Sequence, residues 1–139
     1  MRIFFDTNIL LDVLIPGRSS GFASQTALQV IKRCHDEIFL STQSLIDIYF
    51  TASKCHVDKE DIDSFTEWLL NFTNVRYIDS FCIRFALESG HPDFEDSAQI
   101  ACAEDEECDV FLTSDKGILD RDIDSMLVMT PRQFVDRMR

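Results

Sequence analysis

Four aspartates stand where carboxylates can act together. Asp6 closes the apolar run Arg2-Ile3-Phe4-Phe5 and opens Thr7-Asn8-Ile9-Leu10-Leu11-Asp12. Asp115 closes a second such run, Asp109-Val110-Phe111-Leu112-Thr113-Ser114. Asp96 follows Pro92-Asp93-Phe94-Glu95 and heads a helical stripe that continues through Ile100 and Ala103. Asp93, three residues earlier, is suited to cap that helix and leave Asp96 free. Asp47 shares a polar helix stripe with Gln43, Thr51 and Lys54. Carboxylates brought together repel one another, and tolerate closeness when protonated or when a hard cation lies between them. Oxygen-only donors without a His or Cys companion favour Mg²⁺ or Mn²⁺ over zinc. Such an ion polarises a phosphoryl oxygen and lowers the pKa of a bound water, so the implied chemistry is phosphodiester hydrolysis by metal-activated water.

Each aspartate has a plainer explanation when taken alone. Asp6 suits a helix cap, Asp115 a turn, Asp96 a helix N-terminal charge and Asp47 a solvated helix position. The argument lies in their joint placement, which depends on the elements that carry them. Residues 2–6, 37–40, 75–78, 109–113 and 126–129 read as short apolar strands. Helices are expected over 8–14, 21–34, about 42–55, from 58 through Phe72, near 80–88, from 92 to about 106, and from Thr130-Pro131 onward. Ser114-Asp115-Lys116-Gly117 reads as a turn. Strands alternating with helices imply parallel crossovers, hence a three-layer α/β/α sandwich around a five-stranded parallel sheet. In such a sheet Asp6 and Asp115 share the carboxyl edge, where ligands bind. Periodicity does not give the strand order.

At 139 residues, with 45% hydrophobic content, 12 Phe and only 4 Gly and 3 Pro, the chain suits one compact domain over residues 1–139. No apolar stretch is long enough to span a bilayer. The first residues lack the pattern of a secretory leader, so the cytoplasm is the expected location. Five cysteines without a C-x-x-C pair match neither a disulfide framework nor a zinc site, and Cys82 and Cys102 are expected in the core. The net charge of −12 counts against coating nucleic acid through a basic surface, but not against a nuclease whose ions supply local positive charge.

Phe5-Asp6-Thr7-Asn8-Ile9-Leu10-Leu11-Asp12, Phe94-Glu95-Asp96-Ser97-Ala98 and Leu112-Thr113-Ser114-Asp115 resemble, in order and spacing, the motifs of PIN-domain ribonucleases. The resemblance implies the same sandwich, Mg²⁺ or Mn²⁺, and endonucleolytic cleavage of RNA. It assigns metal-site roles to Asp6, Asp96 and Asp115, with Asn8 and Thr113 supporting them by hydrogen bonds. The family usually carries Glu in the helix after the second strand, where this chain offers Asp47, one methylene shorter and expected to reach a metal through water. Small members of the family resemble VapC-type toxins of toxin–antitoxin pairs. By that resemblance the chain forms a homodimer silenced by an antitoxin with a basic tail, which an acidic surface suits. Arg132, Arg137, Arg139, Lys54 and Lys116 are the candidates for phosphate contacts, although the terminal arginines serve equally well as ordinary solubilising and dipole-matching residues.

Two other readings compete. An aspartate-based phosphatase or phosphotransferase also places Asp after its first strand, but usually with a second Asp where this chain has Asn8. A PIN-fold binding module that has lost catalysis is favoured by Asp47.

Overall fold

The computed structural model describes residues 1–138. Five strands, β1 (Arg2–Phe5), β2 (Glu37–Ser41), β3 (Asn74–Arg76), β4 (Val110–Leu112) and β5 (Leu127–Met129), form one sheet in the order β3-β2-β1-β4-β5. All four pairings are parallel. Eight helices join them: α1 (Thr7–Leu14), α2 (Gly21–Cys34), α3 (Thr42–Lys54), α4 (Lys59–Phe72), α5 (Ser80–Glu88), α6 (Phe94–Asp105), α7 (Lys116–Leu119) and α8 (Pro131–Met138). The expected α/β/α sandwich around a parallel five-stranded sheet is what the chain adopts.

The register explains why the strands read as unbroken apolar runs. Ile3 lies opposite Ile38 and Val110, and Phe4 opposite Phe39 and Phe111. Because successive side chains point to opposite faces, Ile3, Phe5, Ile38, Leu40, Val110 and Leu112 pack with Ile9, Ile31, Ile48 and Phe134 on one side. Phe4, Phe39 and Phe111 face the other side, against Ile100, Cys102 and Ile118. Both faces are covered, as parallel sheets require. Phe4 and Phe111 stack there with ring centroids 5.2 Å apart. Cys82, Cys102 and Cys108 are buried, and burial pushes their thiols up to about 11, 12 and 12.

Two local differences from the sequence reading have physical causes. The third strand is shorter and begins one residue earlier, because an edge strand lasts only while its single neighbour pairs with it, here through Phe39, Leu40 and Ser41. The turn after Asp115 closes into the single helical turn α7, capped by the Asp115 carboxylate on the Gly117 N–H.

The strand order positions the site. The chain moves outward from β1 to β2 and β3, then returns to β4 on the other side of β1. Helices therefore leave neighbouring strands in opposite directions at β1 and β4, opening a crevice at their carboxyl ends. Asp6 and Asp115 follow those two strands.

Candidate active site

Asp6 is 6% exposed and fixed at both oxygens. Its Oδ1 accepts the Thr7 N–H at 2.8 Å, and its Oδ2 accepts the Thr113 hydroxyl at 2.7 Å. Thr113 in turn accepts the Asp115 N–H at 3.0 Å. One buried hydroxyl thus ties the end of β1 to the turn that carries Asp115. The Asp115 Oδ1 accepts the Gly117 N–H at 2.8 Å. A Cβ on Gly117 would lie 3.1 Å from the Asp115 Oδ1 and 3.9 Å from the Asp96 Oδ2, so these carboxylates flank the same bare backbone position.

Asp96 arrives from the other side, in the first turn of α6. Asp93 caps that helix, its Oδ1 accepting the Asp96 N–H at 3.0 Å. The cap satisfies the backbone and leaves the Asp96 carboxylate for the cleft. Arg121 braces the same turn by donating to Ser97 Oγ at 3.0 Å and to the Asp93 carbonyl at 3.2 Å. A larger hollow of about 620 Å³ lies beside this arginine, and none of the four predicted aspartates lines it.

Asp6, Asp47, Asp96 and Asp115, the four aspartates singled out in the sequence, all line one cleft of about 460 Å³. Asp47 comes from α3 and is held by Gln43 Nε2 at 3.0 Å. Asn8 also lines the cleft, but among the described residues its amide makes no hydrogen bond to the carboxylates. Thr113 makes such a bond, while Thr7 and Ser44 share a hydroxyl contact at 2.7 Å beneath the cleft.

Sequence reasoning missed two charged lining residues, as well as the buried Gln99. Glu95 precedes Asp96 on an exposed part of α6, yet its carboxyl meets that of Asp47. No periodic signal marks it, because the contact joins two helices. Arg18 follows the Pro16-Gly17 break and folds back to the buried Asp12, its Nε donating to Oδ1 at 2.7 Å. It is the one basic side chain lining the cleft among the described residues. Lys54, Lys116, Arg132 and Arg137 do not line it, and Lys54 Nζ sits 4.3 Å from the centroid of the Phe50 ring. Arg139 lies outside the described residues.

The electrostatics show strain among the acids. Burial raises the Asp6 pKa above the ordinary value, against the lowering effect of Thr113 and Thr7, with Asp115 and Asp93 adding to the rise. Burial, then the charges of Asp115, Asp93 and Asp6, push Asp96 up to about 7. Glu95 rises to about 7 through burial of its carboxyl end and its hydrogen bond to Asp47. Among the described residues no three His, Cys, Asp or Glu side chains close on a common point as they stand. Asp6 and Asp115 are instead turned to backbone N–H groups at their helix caps.

The donor chemistry nevertheless fits a hard divalent cation. Every candidate donor is an oxygen, and burial together with acidic neighbours pushes Asp6, Glu95 and Asp96 toward protonation. Gln99 lines the same cleft at 2% exposure, and its Oε1 is buried without a hydrogen-bond partner. A buried acceptor left unsatisfied is costly unless an ion or a water completes it.

Comparison with known proteins follows the same lines. A family model described as PIN domain matches residues 2–117. Ribonuclease VapC1 of Aquifex aeolicus (strain VF5) is 23% identical over 141 residues, spanning 98% of this chain and 94% of that protein. The fold resembles VapBC2 from Rickettsia felis bound to a promoter DNA fragment, with a TM-score of 0.66 and 14% identity over 94% of this chain and 98% of that one. A toxin–antitoxin complex from Klebsiella pneumoniae gives 0.66 and 20% identity over 93% and 97% of the two chains. VapC20 of Mycobacterium tuberculosis, described as a sarcin–ricin loop cleaving toxin, gives 0.65 and 12% over 88% and 92%.

Proposed function

This chain belongs to the PIN-domain family, and on that premise we propose that it is a metal-dependent endoribonuclease and the toxin of a toxin–antitoxin pair. The observation that carries the proposal is the convergence of Asp6, Asp96 and Asp115 on one cleft at the point where the sheet order reverses. The VapC1 ribonuclease, alike over nearly the whole chain, supports the choice of RNA.

Asp6, Asp96 and Asp115 are the residues that would hold Mg²⁺ or Mn²⁺. When bound, the ion supplies positive charge to a phosphoryl oxygen and lowers the pKa of a water. The chain's own groups prepare the place. Thr113 keeps Asp6 oriented, and the Asp93 cap and Arg121 keep the first turn of α6 against the cleft. Gln99 Oε1 offers one further acceptor. At the fourth corner, Glu95 beside Asp47 supplies the longer carboxylate that the family usually carries on α3.

The whole of residues 1–139 acts in this reading as one catalytic domain, as a cytoplasmic homodimer. A net charge of −12 favours an antitoxin whose tail is basic. Among the described residues no helix is long and apolar enough to cross a membrane.

The test is cleavage of RNA by purified protein with Mn²⁺. Asp6→Asn abolishes cleavage while leaving the circular dichroism spectrum unchanged; a variant that cuts as fast as the parent sinks the assignment. A second reading, a PIN-fold module that binds RNA without cutting it, is favoured by the shorter Asp47. Tight RNA binding with no products at any Mn²⁺ concentration would select it.

A further inference from the structure

The cleft does not end at its carboxylates. At Asn8 and Arg18 it meets a second hollow of about 350 Å³, lined also by Ser19, Ser20 and Ser114. No hydroxyl of these three serines makes a hydrogen bond among the described residues, and the one carboxylate that lines the hollow, Asp12, is already engaged by Arg18 and Ser24. Arg18 stands at the junction. Its Nε is held by Asp12 Oδ1 at 2.7 Å, and Asp12 is 4% exposed and fixed at its other oxygen by Ser24 Oγ at 2.9 Å. Two helices thus lock the guanidinium through one of its five N–H groups, and the remaining four have no protein acceptor among the described residues.

A guanidinium needed only to neutralise a buried carboxylate commonly meets it with two parallel hydrogen bonds. Here a single bond orients the fork of a side chain that lines two polar hollows, and leaves both Nη atoms without a protein acceptor among the described residues. A pre-oriented fork is the geometry that binds a phosphate with little loss of side-chain freedom. It is also, among the described residues, the one positive charge in a cleft that otherwise repels a polyanion.

We propose that Arg18 grips a phosphate of the RNA strand beside the one that is cut, and that the strand leaves the carboxylate cleft across Asn8 and Arg18 into the hollow lined by Ser19, Ser20 and Ser114. The assignment rests on the ribonuclease reading and names the part of the substrate that this chain holds without a metal.

The experiment measures binding of a short fluorescein-labelled single-stranded RNA by anisotropy, in the non-cutting Asp6→Asn background with Mn²⁺, over a series of salt concentrations. Adding Arg18→Gln weakens binding about tenfold and lowers the slope of log K against log salt by about 0.7, the value for one single-strand phosphate contact. Arg33→Gln, at the exposed far end of α2, changes neither. Should Arg18→Gln disturb the fold, Arg18→Lys decides. It keeps a charge against Asp12 and the salt slope, but lacks the fork and binds with intermediate affinity. Folded Arg18→Gln with the parent's affinity and slope, or Arg18→Lys indistinguishable from the parent, overturns the proposal. A chain with Asp6 intact that fails to cut the same RNA refutes the ribonuclease reading and this assignment with it. Cutting by that chain, combined with unaltered binding by the Arg18 variants, refutes the assignment alone.

Discussion

Replacing Asp96 by Asn should stabilise the metal-free protein while damaging its function. In the folded state the Asp96 carboxyl is pushed from 3.8 up to about 7 by burial and by its acidic neighbours. Holding it ionised therefore weakens the fold. For a carboxyl raised in this way, its contribution is most favourable below the unfolded pKa, is lost as pH rises toward about 7, and changes no further above that. A rise of about three pK units sets a ceiling of about 4 kcal/mol. The side chain is only partly buried, so screening leaves about 1–2 kcal/mol. For a chain of this length that corresponds to a Tm increase of about 3–8 °C. Thermal unfolding followed by circular dichroism in EDTA should show the whole gain at pH 8 and a smaller gain at pH 5. Adding Mn²⁺ should reverse the order, because an ion bound by the native state stabilises the protein that binds it more tightly. Asp96→Asn no more stable than the wild type at pH 8, or equally stabilised at both pH values, would refute the electrostatic account of the cleft.

Other outcomes follow from single contacts. Thr113→Val removes the buried hydroxyl that serves both Asp6 and Asp115, and should cost about 2–3 kcal/mol in guanidinium unfolding. A loss below about 0.5 kcal/mol would mean that the contact does not hold the two strands' ends together. Native thiol labelling should modify Cys34 and Cys55, both exposed, and spare Cys82, Cys102 and Cys108, whose thiols are buried and raised. Mass spectrometry showing Cys102 labelled as fast as Cys34 would contradict the packing of the second core.

Much of the fold was legible because the parallel sheet writes itself into the sequence. A strand covered on both faces needs apolar residues at every position, and Ile3-Phe4-Phe5 and Val110-Phe111-Leu112 supply them without alternation. The position of Asp6 and Asp115 just past those runs is enough to put both on one edge. Strand order was not legible, since no residue in β1 announces that its second neighbour is β4 rather than β3. α7 was hidden because Ser-Asp-Lys-Gly satisfies turn chemistry as well as a capped single turn does. Glu95 and Arg18 depend on tertiary placement. One meets Asp47 across two helices, and the other reaches Asp12 only because the chain reverses at Pro16-Gly17, with Gly17 at φ +83°. Such contacts leave no period and no local motif.

The central position of β1 has a bearing on how the protein is made. β1 leaves the ribosome well before β4 and must wait for it before both of its edges are paired, and the Asp6–Thr113 bond spans 107 residues. Contacts so distant along the chain form late, after the entropy of closing the intervening loop has been overcome. A nascent chain that has not yet released Asp115 holds Asp6 and Asp96 without the third carboxylate and leaves one edge of β1 open. Until β4 pairs with β1, the cleft lacks one of its acids, so whatever chemistry it performs depends on this long-range closure being complete.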